Sequence, residues 1–145
     1  MRMPSLRFLY LALAALGLAL GGTLQANAAS VVNVLEGDYG GHLAFKLSTH
    51  YVKHGAVTFH DHNTDDDLVH EMVIIRTNLP ANKLPYNKKA ERVEENKLHG
   101  IGEIDDLKPN HKATKTFDLK AGRYVLICNE PGHYKRGMYT VLHVR

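Results

Sequence analysis

The chain has 145 residues, 18 Lys+Arg against 15 Asp+Glu, and a single cysteine. That length fits one compact core, and a formal charge of +3 is too small to demand nucleic acid or a membrane surface as partner. A lone cysteine rules out a disulfide framework within the chain.

In chain order, residues 1–28 read as a secretory signal peptide. Arg2 and Arg7 give a short basic start, Phe8 to Leu20 an apolar run, and Ala26-Asn27-Ala28 an A-x-A cleavage site. The run lies near the lower limit for spanning a bilayer, so a membrane anchor is the competing reading. No cysteine stands at the cleavage site to carry a lipid. Cleavage removes both arginines, lowers the charge to about +1 and leaves 29–145 as one exported domain, periplasmic or secreted. In an oxidising compartment an exposed free thiol is a liability, so Cys128 is expected to be buried, metal-bound or both.

The rest of the chain predicts short strands. "VVNVLEG" and "HLAFKLST" come first, followed by "GAVTFHDHN", where Val57, Phe59 and Asp61 alternate with Thr58, His60 and His62. "LVHEMVIIRT", "HKATKTFDL", "GRYVLICN" and "GMYTVLHV" complete the set. Gly55, Asn63, Pro80, Pro85, Pro109-Asn110, Gly122, Pro131-Gly132 and Gly137 mark turns between them. Seven to eight strands with this spacing predict an all-β sandwich. From Leu79 to Gly100 the pattern changes. This stretch reads as a long crossover with one short surface helix between Lys88 and Lys97, its alternating charges facing solvent.

The stretch "CNEPGHYKRGM" carries the chemistry. Taken alone, a cysteine after the apolar "YVLI" is a small core hydrophobe. Pro131-Gly132, however, turns the chain so that His133 comes back towards Cys128, and Gly137 allows a second bend before Met138. Thiolate, imidazole and thioether would then converge. Two histidines, a cysteine and a weak axial methionine form the donor set of a blue-copper electron-transfer site. His70 of "LVHEMVI", directly after the polar turn "HNTDDD", is the candidate for the second histidine. Met72 shares the strand face of His70, with core packing as its ordinary role. His60 and His62 share a face that could hold a second metal ion, or simply lie in solvent; His42, His50 and His54 carry the same ambiguity.

"GAVTFHDHN", "HEMVI" and "LKAGRYVLICNEPGHYKRGMYTVLHV" resemble, in order and spacing, the segments of the cupredoxins, the small blue type 1 copper proteins. The resemblance runs from about Val31 to Arg145, and the Cys128–His133–Met138 spacing is similar to that of rusticyanin and auracyanin. It implies a Greek-key sandwich and one type 1 copper ion held by His70, Cys128, His133 and axial Met138. It also implies single-electron transfer rather than enzymatic chemistry, in a monomer that meets a redox protein such as a cytochrome or terminal oxidase. A copper chaperone, storage or resistance protein is the alternative. His133 would be the electron port, with Pro131, Gly132 and Tyr134 as a small apolar docking patch rimmed by Lys135 and Arg136. One position departs from the family: Glu71 stands where many members have Asn, whose backbone helps hold the cysteine sulfur. Asn63 and Asn129 are candidates for hydrogen bonds around the metal, or plain turn residues.

Overall fold

A computed structural model describes residues 29–145; the signal peptide expected at 1–28 lies outside the described residues. The strands are β1 (Ser30–Asp38), β2 (Leu43–Leu47), β3 (Tyr51–Val52), β4 (Gly55–Asn63), β5 (His70–Arg76), β6 (Tyr86–Asn87), β7 (Arg92–Val93), β8 (His99–Leu107), β9 (Lys112–Leu119), β10 (Gly122–Ile127) and β11 (Tyr139–Val144). They form one sheet in the order β2-β1-β4-β9, a second in the order β3-β11-β10-β5-β8, and a small β6-β7 hairpin. This is the expected β-sandwich. Among the described residues no helix is long and apolar enough to cross a membrane.

Period-two alternation builds the inner faces. Val32 and Val34 of β1 and Val57 and Phe59 of β4 point inward, while Val31, Asn33 and His60 point out. They meet Met72, Ile74, Tyr124, Leu126, Leu142 and Val144 in the main core. β5 and β10 are buried on both faces. Their alternate residues Val73, Ile75, Val125 and Ile127 join a second cluster with Leu84, Val93 and Tyr134. That explains why both strands read as continuous apolar runs rather than as alternation.

The second cluster exists because the crossover folds over the outer face of the larger sheet. The expected helix between Lys88 and Lys97 shrinks to one 3₁₀ turn at Glu95–Lys97, preceded by the hairpin. β8 is an edge strand that only β5 pairs, and the pairing is interrupted by two register shifts. Charged edges of this kind resist sheet-to-sheet association.

Candidate metal centre

His70 opens β5, and Cys128 follows the last residue of β10, its antiparallel neighbour. The pairing alone therefore sets both residues at one end of the sandwich. Three donor atoms converge there: His70 Nδ1 lies 3.2 Å from His133 Nδ1 and 3.8 Å from Cys128 Sγ, and Cys128 Sγ lies 3.3 Å from His133 Nδ1. The circumscribed radius of that triangle, the product of its sides over four times its area, is about 2.0 Å. Metal–nitrogen bonds are about 2.0–2.1 Å and metal–sulfur bonds about 2.3 Å, so a point between the donors suits a metal ion.

The loop closes on itself. Gly132 and Gly137 take φ of 80° and 100°, left-handed values that favour glycine, and so make the two bends expected from the sequence. The Cys128 N–H donates to the Met138 carbonyl at 3.0 Å, and the Met138 N–H donates to the His133 carbonyl at 3.1 Å. Met138 is fully buried and shares the main core with Cys128. Met72 packs in that core as well, its ordinary role. His70 and Cys128 have no exposure either, whereas His133 retains 8 %. Of the four, His133 is thus the one that approaches solvent.

Burial and its partners prepare these donors. His70 Nε2 lies 2.6 Å from Asp65 Oδ2; donation of its N–H to that carboxylate leaves the Nδ1 lone pair for the metal. Asp65 Oδ1 in turn accepts the Asp38 N–H at 2.8 Å, which ties the turn to β1. Desolvation, followed by the neighbouring His70, holds His133 down to about 4, so the His133 imidazole is neutral. Desolvation pushes the Cys128 thiol up to about 12, against the backbone N–H groups of Glu71 and Glu130, which stabilise the thiolate. The Glu71 backbone donor therefore survives the departure from Asn. Metal binding must displace the thiol proton.

The Glu71 side chain is 8 % exposed, and Oε1 lacks a hydrogen-bond partner, with Arg92 Nη1 at 3.7 Å. Burial, then the Glu130 charge, raises its carboxyl to about 7, and Arg92 opposes them. Asn63 and Asn129 hold loops. Asn63 Nδ2 donates to the Leu68 and Leu107 carbonyls, and its Oδ1 accepts the Asp65 N–H, which fixes the turn leading to His70. Asn129 Oδ1 accepts the Val93 N–H at 2.6 Å, and its Nδ2 donates to the Val93 carbonyl and to Glu95 Oε1.

One expectation is corrected. Tyr134 does not belong to a surface patch: it is 1 % exposed and lies in the second core. Its hydroxyl donates to the Ala81 carbonyl at 2.7 Å and accepts the Leu84 N–H at 3.0 Å, bonds that a buried phenol requires. Pro131, Lys135 and Arg136 remain exposed. The crossover is not only a solvated surface: Glu91 accepts the Gly132 N–H, and Arg92 donates to Glu130 at 3.2 Å. Sequence reasoning missed this clamp and also missed Asp65, although the acidic run just before His70 was a usable signal. His60 is exposed and shares a hydrogen bond with Thr114. Among the described residues, the one cluster of three or more such donors is His70, Cys128 and His133, and His60 and His62 are not part of it.

Residues 32–145 match the family described as copper binding proteins, plastocyanin/azurin family. No curated protein matches the sequence. Among solved structures, the dithionite-reduced auracyanin of Roseiflexus castenholzii superposes with a TM-score of 0.61 at 23 % identity, over 81 % of this chain and 98 % of that one. Rusticyanin from Thiobacillus ferrooxidans gives 0.59 at 18 % identity, over 81 % and 79 %. Auracyanin A of Chloroflexus aurantiacus, described as a "blue" copper protein, gives 0.56 at 26 % identity, over 80 % and 100 %.

Proposed function

From the premise that this chain belongs to the plastocyanin/azurin family of copper-binding proteins, we propose that it is an exported carrier of single electrons. The cofactor is copper, and the donor trio, with Met138 beside it, is arranged like a type 1 site. In this reading His70, Cys128 and His133 would hold the ion strongly, and Met138 would be its weak fourth ligand. Thiolate and thioether favour Cu(I) and imidazole serves Cu(II), so bound copper supplies a one-electron couple. The protein's part is to hold the donors still, exclude water and offer His133 to a partner. No substrate bond is made or broken. A one-electron redox protein, such as a cytochrome, would dock at the Pro131–His133 edge, where the exposed Lys135 and Arg136 steer an acidic surface.

One observation carries the carrier reading over a copper-handling role: His70, Cys128 and Met138 have no exposure. A delivery site must let a recipient reach its ligands, whereas a carrier retains its ion. The test is the visible spectrum of the Cu(II)-loaded protein. An intense charge-transfer band is expected that bleaches on reduction and is absent in Cys128→Ser. A colourless Cu(II) complex overturns the assignment. Electron exchange with a cytochrome, compared with copper loss to a chelator, separates the two roles.

A further inference from the structure

At the end of the sandwich that carries the donor trio, two carboxyls lie beside each other in the interior. Glu36 of β1 is 0 % exposed and Asp61 of β4 is 1 % exposed. The strands are parallel neighbours, with Val34 opposite Asp61 and Glu36 opposite Asn63, so the carboxyls sit diagonally across one pair. Both lie on the inward face, in line with the core residues Val32, Val34, Val57 and Phe59. None of their four oxygens has a hydrogen-bond partner of good geometry; the backbone N–H of His62 lies near enough to Asp61 to oppose its rise but not to satisfy it. Two ionised carboxylates cannot remain so placed, because each costs several kcal/mol to desolvate and they repel each other. A proton shared between them satisfies both.

The pair belongs to the copper end of the fold. The Glu36 carbonyl accepts both the N–H and the hydroxyl of Thr64, and two residues on, the Asp38 N–H donates to Asp65, the residue that holds His70. The charged and titratable groups around Glu36 are Asp61, Asp65, Glu71 and Cys128, none of them a cation. Its cross-strand neighbour on β2 is Phe45, and that of Asp61 on β9 is Ala113. Among the described residues, no cation lies against the pair, and a proton is what neutralises it.

We infer that Glu36 and Asp61 form a proton-binding site coupled to the copper site, so that the protein carries a proton together with the electron. The inference rests on the electron-carrier reading. When one electron enters from the partner redox protein, the site gains one negative charge and one proton passes from solvent to a carboxylate oxygen of the pair. When the electron leaves, the proton returns. Desolvation raises Glu36 to about 10 and Asp61 to about 7, so the change in occupancy falls around neutral pH. The copper ligands take no part in this titration.

The test is the midpoint potential of the copper-loaded full-length chain against pH, with infrared difference spectra of reduced minus oxidised protein. The potential is expected to fall as pH rises around neutrality, by up to tenfold in the redox equilibrium per pH unit, equivalent to about 59 mV. A carboxylic-acid carbonyl band should gain intensity on reduction. Glu36→Gln and Asp61→Asn should flatten the slope and remove that band while the blue absorption persists. A flat wild-type profile, or a slope that survives both substitutions because Glu71 produces it, overturns the inference. The metal-free protein separates this from failure of the carrier reading: its carboxylic-acid absorption should lose a component near pH 7, and that component should be missing in Asp61→Asn, whatever the copper does. If Asp61→Asn leaves the carboxylic-acid absorption at pH 6 unchanged, the proton site is overturned outright.

Discussion

The two sides of the copper end are built in opposite ways. On the crossover side, every polar group of Asn129 and Tyr134 that enters the interior finds a partner, and the ligand loop is tied down from Gly132 to Tyr134. On the β1–β4 side, Glu36 and Asp61 are buried with none. A satisfied network resists change, because leaving any member alone costs its full desolvation. An unsatisfied pair responds instead, since a proton is the ligand it lacks. The difference separates holding the metal from answering its charge.

The sharpest way to break the comparison is on the satisfied side. Asn129→Ala strips the Val93 N–H and carbonyl and Glu95 Oε1 of their partner inside the protein. Loss of about 3 kcal/mol or more is expected, read as a lower denaturation midpoint in both metal-free and loaded protein, with unchanged slope. A loss under about 0.5 kcal/mol would mean that water replaces the amide and that the clamp is loose.

The responsive side predicts a pH dependence of stability. Glu36 and Asp61 hold protons more tightly when folded, at about 10 and 7, than at their ordinary 4.5 and 3.8. Their contribution is therefore fully present below about pH 4, falls as pH rises towards 7, and continues to fall towards 10. The metal-free protein should lose stability across that window, and Glu36→Gln should remove much of the slope and gain about 2 kcal/mol at pH 8, the scale of an unpartnered buried group. A stability that rises from pH 5 to 8 would exclude the pair as drawn. Asp65 joins the two sides, being bonded to His70 and to the end of β1. Asp65→Ala should weaken copper binding at least tenfold, about 1.4 kcal/mol, by freeing the imidazole to rotate, as measured by competition with a chelator.

Legibility in the sequence followed the same division. β1 and β4 announced themselves by alternation, because periodicity reports an inner face, and β5 and β10 by continuous apolar runs, because both of their faces are buried. Cys128, His133 and Met138 were readable because Pro131-Gly132 and Gly137 force the bends between them. The hairpin and its clamp were not readable. "LPYNKKAERVEENK" looks like solvated charge, and only tertiary contact recruits Val93 and Arg92 to it. β8 was missed for a similar reason. Of its nine residues only Ile104 and Leu107 are buried, three apart, so the pairing with β5 leaves no alternation. Asp61 was placed on the inward face by its alternation, yet the pattern could not show what waited opposite. Glu36, inside "VVNVLEG", carried no mark that set it apart from a solvated charge.

The weakest tie at this end is Arg136 with Asp38, at 3.5 Å and with side chains 47 % and 32 % exposed. It joins the ligand loop to β1 across the surface, and its geometry resembles a brace. An exposed pair of this kind contributes about 0–1 kcal/mol, because solvent screens the attraction and two long side chains must be ordered. Arg136→Ala should therefore change the denaturation midpoint by no more than about 0.5 kcal/mol and leave the visible spectrum intact. Its effect should instead appear in the rate of electron exchange with an acidic partner, which falls, and in the salt dependence of that rate, which flattens. If stability falls by more than about 1 kcal/mol instead, the loop is braced from both sides, and the contrast between a clamped face and a responsive one is smaller than the buried carboxyls suggest.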